Sequence, residues 1–178
     1  MTNAHDAPAN DVPVTTDPDE VERVRTLMAD IDIAMLTTVD AGADDGRLTS
    51  RPLSTQLAED DGDVLFLVRQ SSNVVRDIRA NAQVNVGYTS KSAWISLSGT
   101  AEVDEDRALI EELWSTGASF FMDGGPENPD NVVLKVHGDT AQVWGGGSAV
   151  GTFVKVLRTI TKKDDDDESG STRIVDLP

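Results

Sequence analysis

Alternating apolar and polar positions dominate the middle of this chain. Ile33–Val39, residues 48–57, Val64–Arg69, Gln83–Thr89 and residues 93–103 are rich in β-branched or aromatic residues over strand lengths, and clusters of Asp, Gly, Asn or Ser bound them. Residues 132–136 and 140–144 read as a last hairpin across Gly138-Asp139. Elsewhere the period is that of a helix. Val21, Val24, Leu27, Met28 and Ile31 recur at helical spacing. They follow Asp17, which can cap, Pro18, which fits the first helical position, and Glu20, which can reach back as in a capping box. Ser71 or Ser72 opens a short helix through Ala80, with Val74, Val75 and Ile78 on one face. Asp104 caps a helix that turns Ala108, Leu109, Leu113 and Trp114 inward. Ser148 caps a final one with Val150, Phe153, Val154, Leu157 and Ile160 inward.

About six strands with helices between and around them predict an α+β, mostly antiparallel barrel. Residues 1–16 are polar, include Pro8 and Pro13, and read as a disordered arm. Residues 17–161 read as one domain, and residues 162–178 as an acidic, flexible tail. Residues 115–131 hold Gly117, Gly124, Gly125, Pro126 and Pro129, and a loop of that length in a compact domain points to a binding role.

Composition then removes whole classes of function. The net charge of −17 argues against nucleic acid or an anionic membrane surface, both polyanions, as partners. With no cysteine, disulfides, thiolate nucleophiles and Cys-ligated metals are excluded. No apolar run is long enough to span a bilayer and the first residues do not resemble a signal peptide, so a cytoplasmic protein is expected. No metal site is expected: His5 and His137 are isolated, and Asp40 to Gly46 lacks the third-position ligand of an EF-hand loop. Gly145-Gly146-Gly147 has no Lys-Ser/Thr after it and is no P-loop.

The remaining chemistry centres on Arg51. A strand bearing one Arg, followed by a strand that feeds a helix start at Ser71-Ser72-Asn73, suits a phosphate: the helix start offers backbone N–H groups and the Arg a bidentate charged donor. Taken alone, Arg51 reads more readily as a surface residue of an edge strand than as a phosphate ligand.

The order of motifs adds to this. Arg51-Pro52-Leu53-Ser54-Thr55-Gln56 is followed by the turn Asp60-Asp61-Gly62-Asp63, then Val64-Leu65-Phe66-Leu67-Val68, Ser71-Ser72-Asn73, Val84-Asn85-Val86 and Trp94-Ile95-Ser96-Leu97-Ser98-Gly99. Ala34-Met35-Leu36-Thr37-Thr38-Val39 precedes them, and Glu112-Leu113-Trp114, Asp123-Gly124 and Ala141-Gln142-Val143-Trp144 follow. This series resembles the pyridoxamine 5′-phosphate oxidase-like flavin-binding split barrels, and within them the general stress protein 26 branch, over roughly residues 20–160. The resemblance implies a six-stranded split β-barrel of Greek-key type with flanking helices. It implies a homodimer with two FMN sites at the dimer interface, and redox activity on a small substrate.

It also implies roles for particular residues. Arg51 would hold the flavin phosphate, and the backbone of Pro52, Leu53 and Ser54 would pass the ring edge, with the Gln56 amide donating to it. Leu67 and Val68 would contact the ribityl–phosphate portion, and Ser72 and Asn73 would sit at the phosphate-binding helix start. Trp94 and Trp144 would lie near the flavin, or else serve as core or dimer-interface residues. No side chain is assigned as a catalytic acid or base.

Three positions depart from the pattern: Val68 where the family often has Thr, Val74 where it has Lys, and Gly145 where it has Asp. A charge-assisted hydrogen bond is worth roughly 1.5–3 kcal/mol, so losing the Lys implies FMN affinity about ten- to hundredfold weaker. The chain lacks the Trp- and Arg-bearing C-terminal segment of true pyridoxamine phosphate oxidases, and that activity is not expected. The same fold binding deazaflavin F420 or haem, or acting as a non-enzymatic flavin carrier, is the alternative.

Overall fold

In the computed structural model, residues 14–15, 17–57, 63–114, 122–145 and 152–155 are described. Helix α1 (Pro18–Ala29) begins where Asp17 caps it, the carboxylate accepting from the Asp19 N–H at 3.0 Å. Glu20 does not reach back, because its carboxylate takes the Arg23 guanidinium one turn on at 2.9 Å. Strands β2 (Ile33–Val39) and β3 (Leu48–Ser54) form an antiparallel hairpin. After a break at Thr55 the chain resumes as β4 (Gln56–Leu57), which pairs with β5 (Val64–Arg69). Helix α2 (Asn73–Ala80) leads to β6 (Gln83–Thr89), β7 (Ala93–Asp104), α3 (Arg107–Leu113) and β8 (Asn131–Gly145).

Strand pairing closes these elements into a ring. The row runs β3-β2-β6-β7-β8, and β8 also pairs with β5. Because residues 48–57 pair with β2 through β3 and with β5 through β4, the two ends of the row meet. The result is a mixed α+β, six-stranded antiparallel split barrel with three helices. The meeting is thin: among the described residues, only Gln56 with Leu65 and Leu57 with Val64 are joined. Beyond them β3 and β5 separate, which opens the split.

The residues expected to form a hairpin at Gly138-Asp139 instead lie inside one continuous strand of 15 residues, β8. The register against β7 explains this. Ser98 faces Thr140 while Gly99 faces Gly138, so Asp139 is an extra residue in β8: a β-bulge. A tight hairpin there would need positive φ, and Gly138 is not among the positive-φ glycines. The bulge bends β8, so its first half pairs with β5 and its second half with β9 (Thr152–Lys155). That short strand also corrects the expected final helix, since Phe153 and Val154 fall in an extended segment; residues 156–160 lie outside the described residues. Val14–Thr15, at the end of the polar N-terminal segment, forms β1 and pairs in parallel with β9.

Helix α3 also starts later than its cap was expected. β7 runs on through Asp104, and Asp106 caps instead, accepting from the Ala108 N–H at 2.9 Å. The rotation puts Ile110 inward and leaves Ala108 exposed, with Leu109, Leu113 and Trp114 half-buried. Ile110 packs with Leu65 and Val133 on the outside of β5 and β8. Phe66 and Val132, their alternating neighbours, face the main core with Leu36, Val86, Tyr88 and Leu97. Both faces of β5 are therefore covered, which accounts for its unbroken apolar run. Val24 and Met28 of α1 and Val74, Val75 and Ile78 of α2 join the same core.

The opposite face of the sheet is different. Pro52, Met35, Gly87, Ser96 and Gln142 form one paired row across five strands; Ser50, Thr37, Asn85, Ser98 and Thr140 form the next. Neither row holds a charge, although 26% of the chain is charged. Ile33, Met35, Leu48 and Trp94 are 54%, 43%, 66% and 52% exposed around them. No helix among the described residues is long and apolar enough to cross a membrane.

Tyr88, the single tyrosine, is buried at the core with its hydroxyl 3.2 Å from that of Thr55. Burial pushes the phenol up to about 12, against a smaller downward pull from the Thr55 bond. The folded protein should therefore show no phenolate absorbance at the usual pH near 10. The neutral form is the one that folds, so stability should fall as pH rises from about 10 toward about 12. A phenolate transition near 10 in the folded state would contradict the buried placement.

Candidate functional site

The chemistry begins at Arg51, which alternation turns to the inner side of β3, opposite Leu36 of β2. Its guanidinium Nη1 donates to Thr38 Oγ1 at 3.1 Å and Nη2 to Asp77 Oδ2 at 3.0 Å. Asp77 is buried on the inner face of α2. Thr38 Oγ1 also donates to its Oδ2 at 3.1 Å, and the Ala41 N–H donates to its Oδ1 at 3.1 Å. A buried carboxylate survives only when paired and hydrogen-bonded, and this one joins β2, β3, α2 and the loop after β2. Arg76 of α2 lies 3.5 Å from both Asp40 and Asp77, and Arg79 lies 3.6 Å from Glu105. The Gly42 N–H and the Arg47 guanidinium hold the Asp40 carboxyl below its usual range, which keeps that anchor charged.

Where β3 and β5 part, a cleft of about 350 Å³ opens. Arg51 and Leu53 line it from β3, and Leu67, Val68 and Arg69 from β5. Ser72, Asn73 and Val74 line it from the start of α2, and Met122 from the loop before β8. Ser72 occupies the cap position, but its hydroxyl donates to the Arg69 carbonyl instead of capping, and no acid sits in the first turn. The first N–H groups of α2 are thus left to face the cleft without a side-chain acceptor. Arg51 spends two of the five N–H groups a guanidinium carries.

The loop before β8 is firmly built. Arg107 donates to the carbonyls of Pro126, Asn128 and Asn131 at 3.1, 2.9 and 2.8 Å. Asn128 and Asn131 both donate to the Asp123 carbonyl, at 2.9 and 3.1 Å. Asp130 takes the Ser71 N–H at 2.8 Å and the Ser71 hydroxyl at 3.0 Å. Gly124 and Gly125 turn at φ of +78° and +73°, a region only glycine enters readily. Met122 is thereby pressed into the cleft wall, and Arg69 meets Asp123 at 2.8 Å. Residues 115–121 of the long loop lie outside the described residues.

Of the residues singled out in sequence, the cleft brings together Arg51, Leu53, Leu67, Val68, Ser72 and Asn73. Pro52 and Ser54 alternate to the outer face. Gln56 donates to the Leu113 carbonyl at 3.3 Å. Trp94 and Trp144 stand opposite each other at the far end of β7 and β8, away from the half of β8 that pairs with β5. Neither tryptophan is among the residues that line the cleft. Asp77, Arg69 and Met122 were not foreseen. Asp77 had a signal: it sits three residues after Val74 and one before Ile78, on the apolar face of a short helix.

A split barrel with an anion-suited cleft in its opening defines a class, and the sequence comparison places the chain within it. The family model described as "Pyridoxamine 5'-phosphate oxidase like" matches residues 19–167, and the chain belongs to that family. Protein bli-3 of Neurospora crassa is 27% identical over 133 residues, 68% of this chain; the match spans only 63% of the length of that relative. General stress protein 26 from Bacillus anthracis superposes with a TM-score of 0.65 at 19% identity, covering 76% of this chain and 98% of its own. A protein from Xanthomonas citri described as a general stress FMN/FAD binding protein superposes with a TM-score of 0.61 at 24% identity, covering 78% and 98%.

The Arg51–Asp77 pair has a consequence for mutagenesis. Arg51→Ala removes the closest cation from a buried carboxylate, leaving it Arg76 at 3.5 Å, Thr38 and the Ala41 N–H, and should destabilise the fold by about 3 kcal/mol, the low end for breaking a buried pair. Adding Asp77→Asn should recover much of that loss, as read by urea denaturation. Equal midpoints for Arg51→Ala and the unmodified chain would show that the pair does not hold the barrel.

Proposed function

We propose that the chain binds FMN in the split between β3 and β5 and acts as a homodimeric flavoprotein of the general stress type. The observation that carries this reading is the uncapped start of α2 opening into a cleft that Arg51 lines. The residues present fit a phosphomonoester: α2 offers backbone N–H groups, and Arg51 keeps three of its N–H groups without an acceptor among the described residues. Leu53, Leu67, Val68 and Met122 supply apolar walls for the rest of the cofactor. The description of the Xanthomonas citri protein as FMN/FAD binding supports the same choice of ligand.

In this reading the flavin supplies hydride or electron transfer, and the protein binds, orients and excludes water. Arg51 orients the phosphate while Asp77 and Thr38 fix the guanidinium. The activity is a flavin-dependent oxidation or reduction of a small substrate other than pyridoxamine phosphate. A non-enzymatic flavin carrier is the second reading, favoured by Val74 standing where the resemblance calls for Lys. Haem is less well served, since both ring nitrogens of His137 are taken, by Asp63 at 2.7 Å and Glu102 at 3.1 Å.

The second copy is argued from the outer face. An uncharged, partly apolar sheet surface on a chain of net charge −17 supports an association site there. A self-paired dimer through that face would bury Met35 and Trp94 and would bring one copy's tryptophans toward its partner's cleft.

Purified protein mixed with FMN and desalted should retain flavin absorbance bands. Colourless protein after desalting would remove the flavin reading. Met35→Asp puts a charge in the centre of the outer face, and should shift the protein from dimer to monomer by size-exclusion chromatography with light scattering. A monomeric unmodified protein, or a variant that stays dimeric, would remove the face from the interface.

A further inference from the structure

We propose that Arg69 is the cationic phosphate ligand that stands in for the lysine absent at position 74, and that Asp123 competes with the phosphate for it. This rests on the flavin reading above and deepens it. The two cleft arginines hold their carboxylates in different ways. Asp77, the partner of Arg51, is buried and cannot be returned to water while the fold persists. Arg51 therefore enters any phosphate complex still paired to that carboxylate, which Arg76 also approaches at 3.5 Å.

Asp123, the partner of Arg69, has a side chain 88% exposed, and the Arg69 side chain is 45% exposed. A carboxylate in that position gives up an ion pair of small net worth and is rehydrated on release. The Arg69–Asp123 contact is thus the exchangeable one.

Position and anchoring agree with this. Arg69 ends β5, lines the cleft, and its carbonyl is bonded by the Ser72 hydroxyl at the start of α2. Its backbone is therefore fixed beside the uncapped N–H groups that would share the phosphate. Arg76 and Arg79, the other cations near α2, do not line the cleft: Arg76 sits between Asp40 and Asp77, and Arg79 meets Glu105. A phosphomonoester carries about −1.5 to −2 charge at pH 7 and three acceptor oxygens, against one charge on Asp123, so it is the stronger partner for a guanidinium. Exchange need not dismantle the loop. Asn128 and Asn131 hold Asp123 by its backbone carbonyl, and Arg107 grips the loop independently of the Asp123 carboxylate.

The test compares FMN with riboflavin, which lacks the phosphate, by quenching of flavin fluorescence on the full chain. Arg69→Gln should weaken FMN binding about tenfold or more and leave riboflavin unchanged. Asp123→Asn should tighten FMN severalfold and leave riboflavin unchanged. An Arg69→Gln variant that binds FMN like the unmodified chain, or that loses FMN and riboflavin alike, overturns the assignment of Arg69. Unaltered FMN affinity in Asp123→Asn overturns the competition. An unmodified protein that binds riboflavin as tightly as FMN overturns the phosphate assignment while leaving the flavin reading intact; one that binds neither overturns both.

Discussion

The buried carboxylate of Asp77 is the constraint around which the candidate site is arranged. A charge at 1% exposure must be matched by donors or it would unfold the element that bears it. Its donors come from β2, β3 and the loop between them, so α2 is fixed against the hairpin at one point. The N-terminal turn of α2 is thereby held over the gap between β3 and β5. Arg51 has a structural duty to Asp77 before it has any duty to a ligand. This double use is economical for the fold but limits the site, because the same guanidinium cannot present its full charge to both.

The split itself follows from how two strands divide their pairing. β4 joins β5 through two residue pairs and then the edges part, while β8 must serve both β5 and β9. The bulge at Asp139 makes the second possible. Gly99 lies against it so closely that a Cβ there would meet the His137 carbonyl at 2.0 Å. A side chain at 99 would force β7 and β8 apart where β8 changes direction. The bulge on one side of the barrel and the opening on the other belong to one geometry: a strand that bends away leaves an edge uncovered, and the helix start fills it.

Much of this was legible in the chain itself, and the failures have definite causes. β2, β5 and β6 stand at their expected bounds, because strand-length runs of β-branched residues between turn formers leave little ambiguity. Gly138-Asp139 misled because a Gly-Asp pair between apolar runs serves a turn or a bulge equally well, and only the register against Gly99 distinguishes them. Phe153 and Val154 fit a helical period in sequence, but the open edge of β8 recruits them as a strand, a tertiary choice that local pattern does not record. At the site, the order of motifs located the two strands and the helix that line the cleft. It did not reveal that Arg51 is paired from within, since its partner lies 26 positions further along the chain. The tryptophans could be placed on strands but not relative to the cleft, because local pattern does not record how far along the folded sheet a strand end lies from the split.

An anion site in a chain of net charge −17 needs its own account. At physiological ionic strength the screening length is about 8 Å, so most surface carboxylates are felt weakly at the cleft. Their summed field slows the approach of a phosphate more than it weakens the grip once contact is made. Affinity then depends on the few donors at hand, and on how strongly each is already claimed. In this cleft Arg51 is claimed by a carboxylate that cannot leave, and Arg69 by one that can. The backbone N–H groups of α2 have no side-chain acceptor at all. On the proposed reading, valine at position 74, where the resemblance calls for lysine, shifts the balance between these donors without emptying the cleft of positive potential. On that reading the cost of parting Asp123 from Arg69, which water largely repays, bears on binding more than the overall charge of the protein does.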